Sequence, residues 1–360
     1  MNYIVMHETV TNHDAIGNDI EIMFNILNET DHCVVYARNR FNDAVKYISE
    51  KKLEAEIART DTVLIYHHSV YWEYGFKILQ TSKCKIIIRY HNITPASFFQ
   101  EYNINHYNQC SKGRELTERM IKEIKNAFWL CDSVYNASEL NLPEQQIGIC
   151  PPFNKIEEWD SVIPNENILK QLVESDTINL LWVGRVVPNK GHLQAFEIIH
   201  HYCICYDKRI KLRIIGKFDE GLEGYNQKIK GFIREHNISS NIEFIGETSD
   251  EDLLAYYLGS DLMLCCSQHE GFCVPIIEAQ HFGLPVIALK TTAVPETMGK
   301  DQVCLDNDCS MFVAAIRVIM RNKDFYHYLC KKGYDNYDNR FSHTAIKNKF
   351  LSELEGMLKK

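Results

Sequence analysis

The sequence predicts an α/β protein of two domains, each built on a parallel β-sheet with crossover helices. Short apolar runs alternate with helical patterns along almost the whole chain, which is typical of parallel strands joined by helices. The length of 360 residues suits two domains of about 150 to 200 residues better than one. A polar, Pro-containing stretch at 151–177 divides the strands into two series. We therefore expect two doubly wound, Rossmann-like domains.

Each series contains six predicted strands. In the first domain they lie near 3–7, 33–37, 62–67, 85–91, 133–135 and 147–149. In the second domain they lie near 178–183, 211–215, 242–245, 262–265, 286–288 and 303–305. Ser249, three residues before Asp252, predicts an N-cap for a helix at 253–258, and 341–358 is predicted to be helical.

The composition excludes several classes of protein. No apolar run reaches the roughly 18 to 20 residues of a membrane span, and residues 1–7 do not resemble a signal peptide, so we expect a cytoplasmic protein. A net charge of −9 argues against nucleic acid as a partner. The thirteen cysteines show no paired CxxC spacing, which predicts buried free thiols.

Two glutamates, Glu270 and Glu278, bracket a glycine turn and a predicted helix after the strand at 262–265. At such a strand-to-helix junction, the backbone N–H groups of Gly271, Phe272 and Cys273 can donate to sugar hydroxyls or phosphate. Glu270 can then accept from hydroxyls of a hexose, and Glu278, about two turns into the helix, from those of a ribose. The alternative is that Glu270 is an N-cap and Glu278 a solvated helix residue.

A short basic loop follows the first predicted strand of the second domain. Gly184 and Arg185 open it and Lys190 closes it. The two cations can stabilise a departing diphosphate without a metal ion. An ordinary basic loop explains the same residues, but ligands of open α/β sheets bind at the carboxyl ends of strands, where this loop lies.

The first domain offers two further candidates. Gly17, at the start of the first predicted helix, can let backbone approach a phosphate, although a plain helix start explains the same pattern. His91 lies at the carboxyl end of the fourth predicted strand. A structural role is the alternative for this histidine.

Together these motifs resemble the donor site of the family 4 retaining glycosyltransferases. The resemblance covers nearly the whole chain and is densest at 178–297, where Gly-Leu-Pro at 283–285 and Val-Pro-Glu-Thr at 294–297 also match. It implies the GT-B fold, with two Rossmann-like doubly wound domains facing a central cleft. The implied parts are an acceptor-side domain at 1–165, a donor domain at 166–338 and a helix at 339–360 that crosses back. It also implies that His91 contacts the donor sugar near the reacting carbon.

The activity implied by the resemblance is transfer of a hexosyl unit from a nucleotide sugar to a saccharide. The resemblance also implies that the anomeric configuration is retained and that no cofactor is needed. Residues 90–95 (Tyr-His-Asn-Ile-Thr-Pro) are similar to those of enzymes that build O-antigen and other surface polysaccharides. This implies a lipid-linked glycan acceptor at the inner face of the cell membrane, and we expect GDP-mannose as donor.

Three questions stay open in the sequence. The cations at 112–125 can contact a membrane or pack on a domain. Asp306 and Asp308 have the spacing of a metal-binding pair, but we predict a helix start at Asp308 and no metal. A non-hydrolysing sugar-nucleotide epimerase and a catalytically silent sugar-nucleotide-binding subunit remain alternatives to a transferase.

Overall fold

The computed structural model describes residues 1–12 and 14–359, and within them the chain packs into two compact units, each around a six-stranded parallel sheet. The first unit comprises Met1–Ala96, Asn105–Lys155 and the C-terminal helix. The second comprises Ser97–Ile104 and Ile156–Ser342. The short segment Ser97–Ile104 therefore packs with the second unit, although residues of the first precede and follow it.

The first sheet has the strand order β2-β1-β3-β4-β5-β6. Its strands are β1 (Asn2–Thr11), β2 (His32–Phe41), β3 (Thr62–His68), β4 (Lys85–Tyr90), β5 (Phe128–Cys131) and β6 (Ile147–Ile149). The helices that connect them are α1 (Ala15–Asn28), α2 (Glu50–Ile57), α3 (Glu73–Thr81), α4 (Ile104–Glu123) and α5 (Val134–Ser138).

Both faces of this sheet are buried. Along β1, Ile4 and Met6 pack into one apolar cluster, whereas Tyr3 and Val5 pack into another. Successive side chains of a strand point to opposite faces, so the sheet has a core on each side. Continuous apolar strands are what a parallel sheet covered by helices requires.

The fifth predicted strand of this unit is misplaced. The strand lies at Phe128–Cys131, not at 133–135. Ser133 is instead the N-cap of α5, and its side chain accepts a hydrogen bond from the Asn136 amide. A capping serine has extended backbone, so Ser133 is locally similar to a strand residue although it begins a helix. The other five predicted strands are confirmed.

The second sheet has the strand order β12-β11-β10-β7-β8-β9. Its strands are β7 (Ile178–Val183), β8 (Ile210–Ile215), β9 (Ile242–Gly246), β10 (Leu262–Cys265), β11 (Val286–Leu289) and β12 (Val303–Leu305). The helices are α6 (Glu166–Val173), α7 (His192–Cys205), α8 (Glu223–Glu235), α9 (Asp250–Gly259), α10 (Val274–His281), α11 (Val294–Met298), α12 (Cys309–Arg321) and α13 (Lys323–Arg340). All six predicted strands are confirmed, and so is the cap of α9, because the Ser249 side chain accepts from the Asp252 amide at 3.3 Å.

The last helix, α14 (His343–Leu358), belongs to the first unit. The predicted helix at 341–358 is therefore confirmed from residue 343 onward. Ile346, Phe350 and Leu354 are buried and join the same cluster as Tyr3 and Val5. This apolar stripe, at spacings of four residues, fixes the helix to its unit.

The cations of α4 pair with acids of the first unit. Arg114 lies 3.1 Å from Glu139, and Arg119 lies 2.9 Å from Glu73. These contacts support the packing interpretation of the basic residues near 112–125. No helix in the described part of the chain is long and apolar enough to cross a membrane.

All thirteen cysteines are free, as the sequence predicts, and seven of them are buried.

Candidate functional site

Two loops leave the same edge of the second sheet. One, at 184–191, follows β7, and the other, at 266–273, follows β10, which is the strand next to β7. Two hydrogen bonds join the loops. The Gln268 backbone N–H donates to the Asn189 backbone carbonyl at 2.8 Å, and the Asn189 side chain donates to the His269 carbonyl at 3.2 Å. The loops thus form one surface at the carboxyl ends of the strands, where ligands of such sheets bind.

Lys190 and Glu270 form an ion pair between these loops. The Lys190 ammonium lies 2.6 Å from a carboxylate oxygen of Glu270, which is only 8% exposed. Burial opposes the charged form of Lys190, but attraction to Glu270 prevails and raises the pKa of the lysine. Lys190 is therefore charged, and the Glu270 backbone N–H donates to the Thr292 hydroxyl at 2.9 Å.

Glycine is required where the two loops meet. Gly191 has φ 73°, and a Cβ on it would lie 1.9 Å from the Cys266 carbonyl oxygen. Only glycine tolerates both conditions, so Gly191 sets the close approach of the loops. Gly184, also at positive φ, immediately precedes Arg185.

The Arg185 side chain is exposed, and no acidic residue in the described part of the chain pairs with it. It is therefore available to an anionic ligand at the same loop as Lys190.

The junction between the loop and α10 is formed by Gly271, Phe272 and Cys273, of which the last two are buried. Cys273 occupies the N-cap with φ 80°, so Glu270 is not a capping residue. Among the described residues, none accepts a hydrogen bond from the Phe272 or Cys273 amide. The Phe272 ring packs edge-on against Phe341 at 5.3 Å. Gly271 is half-buried and forms the turn that precedes Phe272 and Cys273.

Glu278 lies on α10 and is half-buried, so it is not a solvated helix residue. The Tyr257 hydroxyl donates to one of its carboxylate oxygens at 2.5 Å. Burial raises the pKa of Glu278 to about 7, although the bond from Tyr257 opposes the shift and the charge of Asp250 adds to it. A half-buried carboxyl with a pKa close to 7 is typical of functional sites.

His91 follows β4 in the first unit and is held by two side chains. Its Nδ1 lies 2.9 Å from Asp132, and its Nε2 lies 2.9 Å from Nδ1 of His67. A carboxylate accepts only, so His91 Nδ1 carries the proton and its Nε2 accepts from His67. Burial lowers the pKa of His67 well below its usual range, and the nearby His91 and His7 add to the shift. The His67 imidazole is consequently neutral.

A buried charge network supports this histidine. Arg89, fully buried, donates from Nε to Asp19 at 2.9 Å and lies 3.0 Å from Asp132. The Phe153 amide donates to the other Asp19 oxygen at 2.8 Å. This network is not predicted by the sequence motifs. The available signal was Asp19 on the otherwise apolar buried face of α1.

The residues in the described part of the chain that are arranged to hold a metal ion are Asp19, His67 and His91, whose ligand atoms lie within 4.8 Å of one another. The Asp19 oxygen nearest both rings already accepts from the Arg89 guanidinium. A second cation beside that guanidinium would be repelled, so the geometry favours the ion pair over a metal.

Gly17 lies on α1, and its amide donates to the Asp14 side chain at 2.6 Å. A Cβ at this position would lie 2.0 Å from the Thr11 carbonyl oxygen, so glycine is needed for the helix to approach β1. Its contact with phosphate stays a prediction. At the other motif, Asp308 caps α12 by accepting from the Ser310 amide at 2.9 Å, which confirms the predicted helix start.

Comparison with known proteins places this architecture among the GT-B folds. A structure of Anabaena HepE in complex with UDP and glucose superposes with a TM-score of 0.74 over 99% of each chain, at 12% identity. The predicted fold class is confirmed.

The second unit carries a family signature: residues 165–336 match the model described as glycosyl transferases group 1. The predicted resemblance to a glycosyltransferase family is thus confirmed over this segment. The O-antigen chain mannosyltransferase B of Escherichia coli is 28% identical over 141 residues, 38% of this chain and 35% of that protein. The lipopolysaccharide 1,2-N-acetylglucosaminetransferase of Salmonella typhimurium is 26% identical over 208 residues, 49% of this chain and 53% of that protein. The chain thus spans only about a third to a half of the length of these curated relatives.

Proposed function

We propose that this protein transfers a hexosyl unit from a nucleoside-diphosphate sugar to a saccharide, in the synthesis of a cell-surface polysaccharide. The observation that carries the proposal is the part-buried Lys190–Glu270 ion pair, which lies at the strand ends inside the matched segment. The named relatives transfer mannose or N-acetylglucosamine in O-antigen and lipopolysaccharide synthesis, which supports the class of product.

Lys190 and Arg185 are proposed to stabilise the leaving diphosphate. Cleavage of the glycosidic bond concentrates negative charge on the phosphate, and two cations on one loop lower the energy of that state. Arg185 is exposed and unpaired among the described residues, so it contributes a full charge to the ligand. Lys190 shares its charge with Glu270 until the donor arrives.

Glu270 and the Phe272 and Cys273 amides are proposed to hold the donor sugar. The amides have no acceptor among the described residues, and they lie at the N-terminus of α10, where partial positive charge favours oxygen ligands. Glu278 is proposed to accept from the ribose hydroxyls. Tyr257 engages one of its oxygens and leaves the other for the ligand.

His91 is proposed to contact the donor sugar near the reacting carbon. Both of its ring nitrogens are engaged by Asp132 and His67, so a sugar hydroxyl at Nε2 must replace the bond from His67. The His91 Nε2 can accept such a hydroxyl at the position that His67 now fills.

The proposed reaction proceeds with retention, by attack of the acceptor hydroxyl on the face from which the diphosphate leaves, and the phosphate takes the proton. Arg185 and Lys190 supply the positive charge that a metal ion gives other enzymes. We propose GDP-mannose as donor and a lipid-linked glycan at the inner membrane face as acceptor. The E. coli mannosyltransferase supports the choice of sugar.

Thermal unfolding with a panel of nucleotide sugars tests the proposal. A ligand at about 100 times its dissociation constant stabilises the fold by roughly 2.7 kcal/mol. We expect one nucleotide to stabilise the protein, and its diphosphate alone to retain most of the effect. Glu278→Gln should weaken binding of the sugar-free diphosphate, whereas Glu270→Gln should weaken only the contribution of the sugar. If no nucleotide in the panel stabilises the protein, the proposal is contradicted.

A further inference from the structure

A cavity of about 580 Å³ lies beside the two loops of the candidate site, within the second unit. Pro188 and Gly191 of one loop and Gln268 of the other are among its lining residues. Segment 97–104 also lines it, with Phe98 and Tyr102. The volume falls within the range of about 300–1,000 Å³ that is usual for small-ligand sites.

Segment 97–104 is anchored to the second unit. The Tyr102 ring packs edge-on against Tyr225 of α8 at 5.3 Å, and its hydroxyl accepts from the Lys228 ammonium at 3.0 Å. The Asn103 side chain donates to the Gly221 carbonyl at 2.6 Å. These contacts fix segment 97–104 in position as part of the cavity lining.

The lining suits a neutral molecule with many hydroxyl groups. Phe98 and Tyr102 are half-buried and present aromatic surface, which covers the apolar faces of sugar rings. The side-chain amides of Gln100 and Gln268 are exposed and have no hydrogen-bond partner among the described residues. None of the described residues that line the cavity is basic, and Glu101 is acidic. Such a lining disfavours phosphate and anionic lipid.

We propose that this cavity binds the terminal sugar of the acceptor glycan. Gln268 lies two residues before Glu270 on the same loop, and Gly191 directly follows Lys190, so the cavity and the donor site share both loops. The inference rests on the proposed function, because it assigns the second substrate of that same reaction.

A second cavity, of about 880 Å³, is adjacent, because Leu193 and Gln268 line both. The second cavity runs between α7 and α8, where Gln194, Gln227 and Lys228 contribute polar groups. These groups offer hydrogen bonds to further sugar units of the acceptor. An oligosaccharide should therefore bind more tightly than a single sugar.

Saturation-transfer NMR tests the inference by direct binding. The probes are the methyl α-glycosides of mannose, N-acetylglucosamine, glucose and galactose, together with the corresponding α-linked trisaccharides, each titrated in the presence of saturating UDP or GDP. We expect at least one probe to bind. Phe98→Ala and Gln268→Ala should each weaken it at least fivefold, and Gln227→Ala should weaken only the trisaccharide.

Matched controls separate this inference from the proposed function. Tyr328 of α13 is exposed and lies outside both cavities, so Tyr328→Ala should leave saccharide binding unchanged. The dissociation constant of UDP or GDP should be the same in Phe98→Ala, Gln268→Ala and the unmodified protein. Failure of every saccharide to bind, or equal binding by all variants, would overturn the acceptor site. Loss of nucleotide binding in the unmodified protein would instead overturn the proposed function.

Discussion

The pH dependence of nucleotide binding should report the ionisation of Glu278. Burial raises the pKa of this carboxyl to about 7, with the Asp250 charge acting in the same direction and the Tyr257 hydroxyl against it. The ionised carboxylate accepts from ribose hydroxyls through charge-assisted hydrogen bonds, whereas the protonated carboxyl carries an O–H donor and accepts more weakly. Affinity should therefore fall as the pH falls through about 7.

The magnitude follows from the pKa. A carboxyl of pKa about 7 is about nine-tenths ionised at about pH 8 and one-tenth ionised at about pH 6, so affinity should fall about tenfold, or about 1.4 kcal/mol. Isothermal titration with the nucleoside diphosphate at the two pH values measures this ratio. The phosphate of the ligand titrates in the same range, so Glu278→Gln is the necessary control.

The Glu278→Gln variant should bind the nucleotide more weakly at about pH 8 and should lose the part of the pH dependence that Glu278 contributes.

Protein stability gives an independent check. Because the folded-state pKa lies above the ordinary value of 4.5, the fold should gain stability as the pH falls from about 7 and lose it as the pH rises. The full shift, from 4.5 to about 7, corresponds to at most about 3 to 4 kcal/mol. An identical pH dependence in Glu278→Gln and the unmodified protein would refute the reasoning.

The remaining predictions concern catalysis. Arg185→Ala should slow turnover by about 10²–10³-fold with the fold intact, since the side chain is exposed, and near-normal steady-state rates would remove the leaving-group role. Lys190→Ala should slow turnover similarly but also destabilise the fold by about 3–5 kcal/mol, because it leaves Glu270 buried without a partner; denaturant unfolding measures that cost. His91→Ala should lower the turnover number more than it lowers nucleotide affinity by titration, and full activity would return His91 to a structural role. Replacing Asp308 with alanine should cost about 1 kcal/mol in unfolding free energy and leave activity unchanged, and a large loss of activity would argue for a metal at that motif.

Local patterns in the sequence were sufficient for most of the fold. Eleven of the twelve strands described by the structure lie where apolar runs between turn residues predict them. The exception, β5 at Phe128–Cys131, follows an amphipathic helix, and its apolar residues continue the helical pattern without a break. Helix α6 lies within the polar stretch at 151–177 that divides the two predicted series of strands, and the Asn165 side chain caps it by accepting from the backbone N–H groups of Asn167 and Ile168.

The candidate site was predictable in its residues but not in its pairings. Spacing identified Lys190 and Glu270 separately, yet they are eighty residues apart and only the neighbouring positions of β7 and β10 bring them together. The same holds for Arg89 and Asp19, which are seventy residues apart. Contacts of this kind depend on strand order, which local sequence patterns do not specify.

Transfer of sugar from a labelled donor is the most direct test of the central claim. The purified protein is incubated with each of several nucleotide sugars in excess chelator, with and without a saccharide acceptor, and products are analysed by mass spectrometry and by NMR of the anomeric proton. We expect release of nucleoside diphosphate coupled to a new α-glycosidic bond from an α-linked donor, and Arg185→Ala should reduce both together. Conversion of the donor to an epimer without acceptor, inversion at the anomeric carbon, or activity that requires Mg²⁺ or Mn²⁺ would contradict the account.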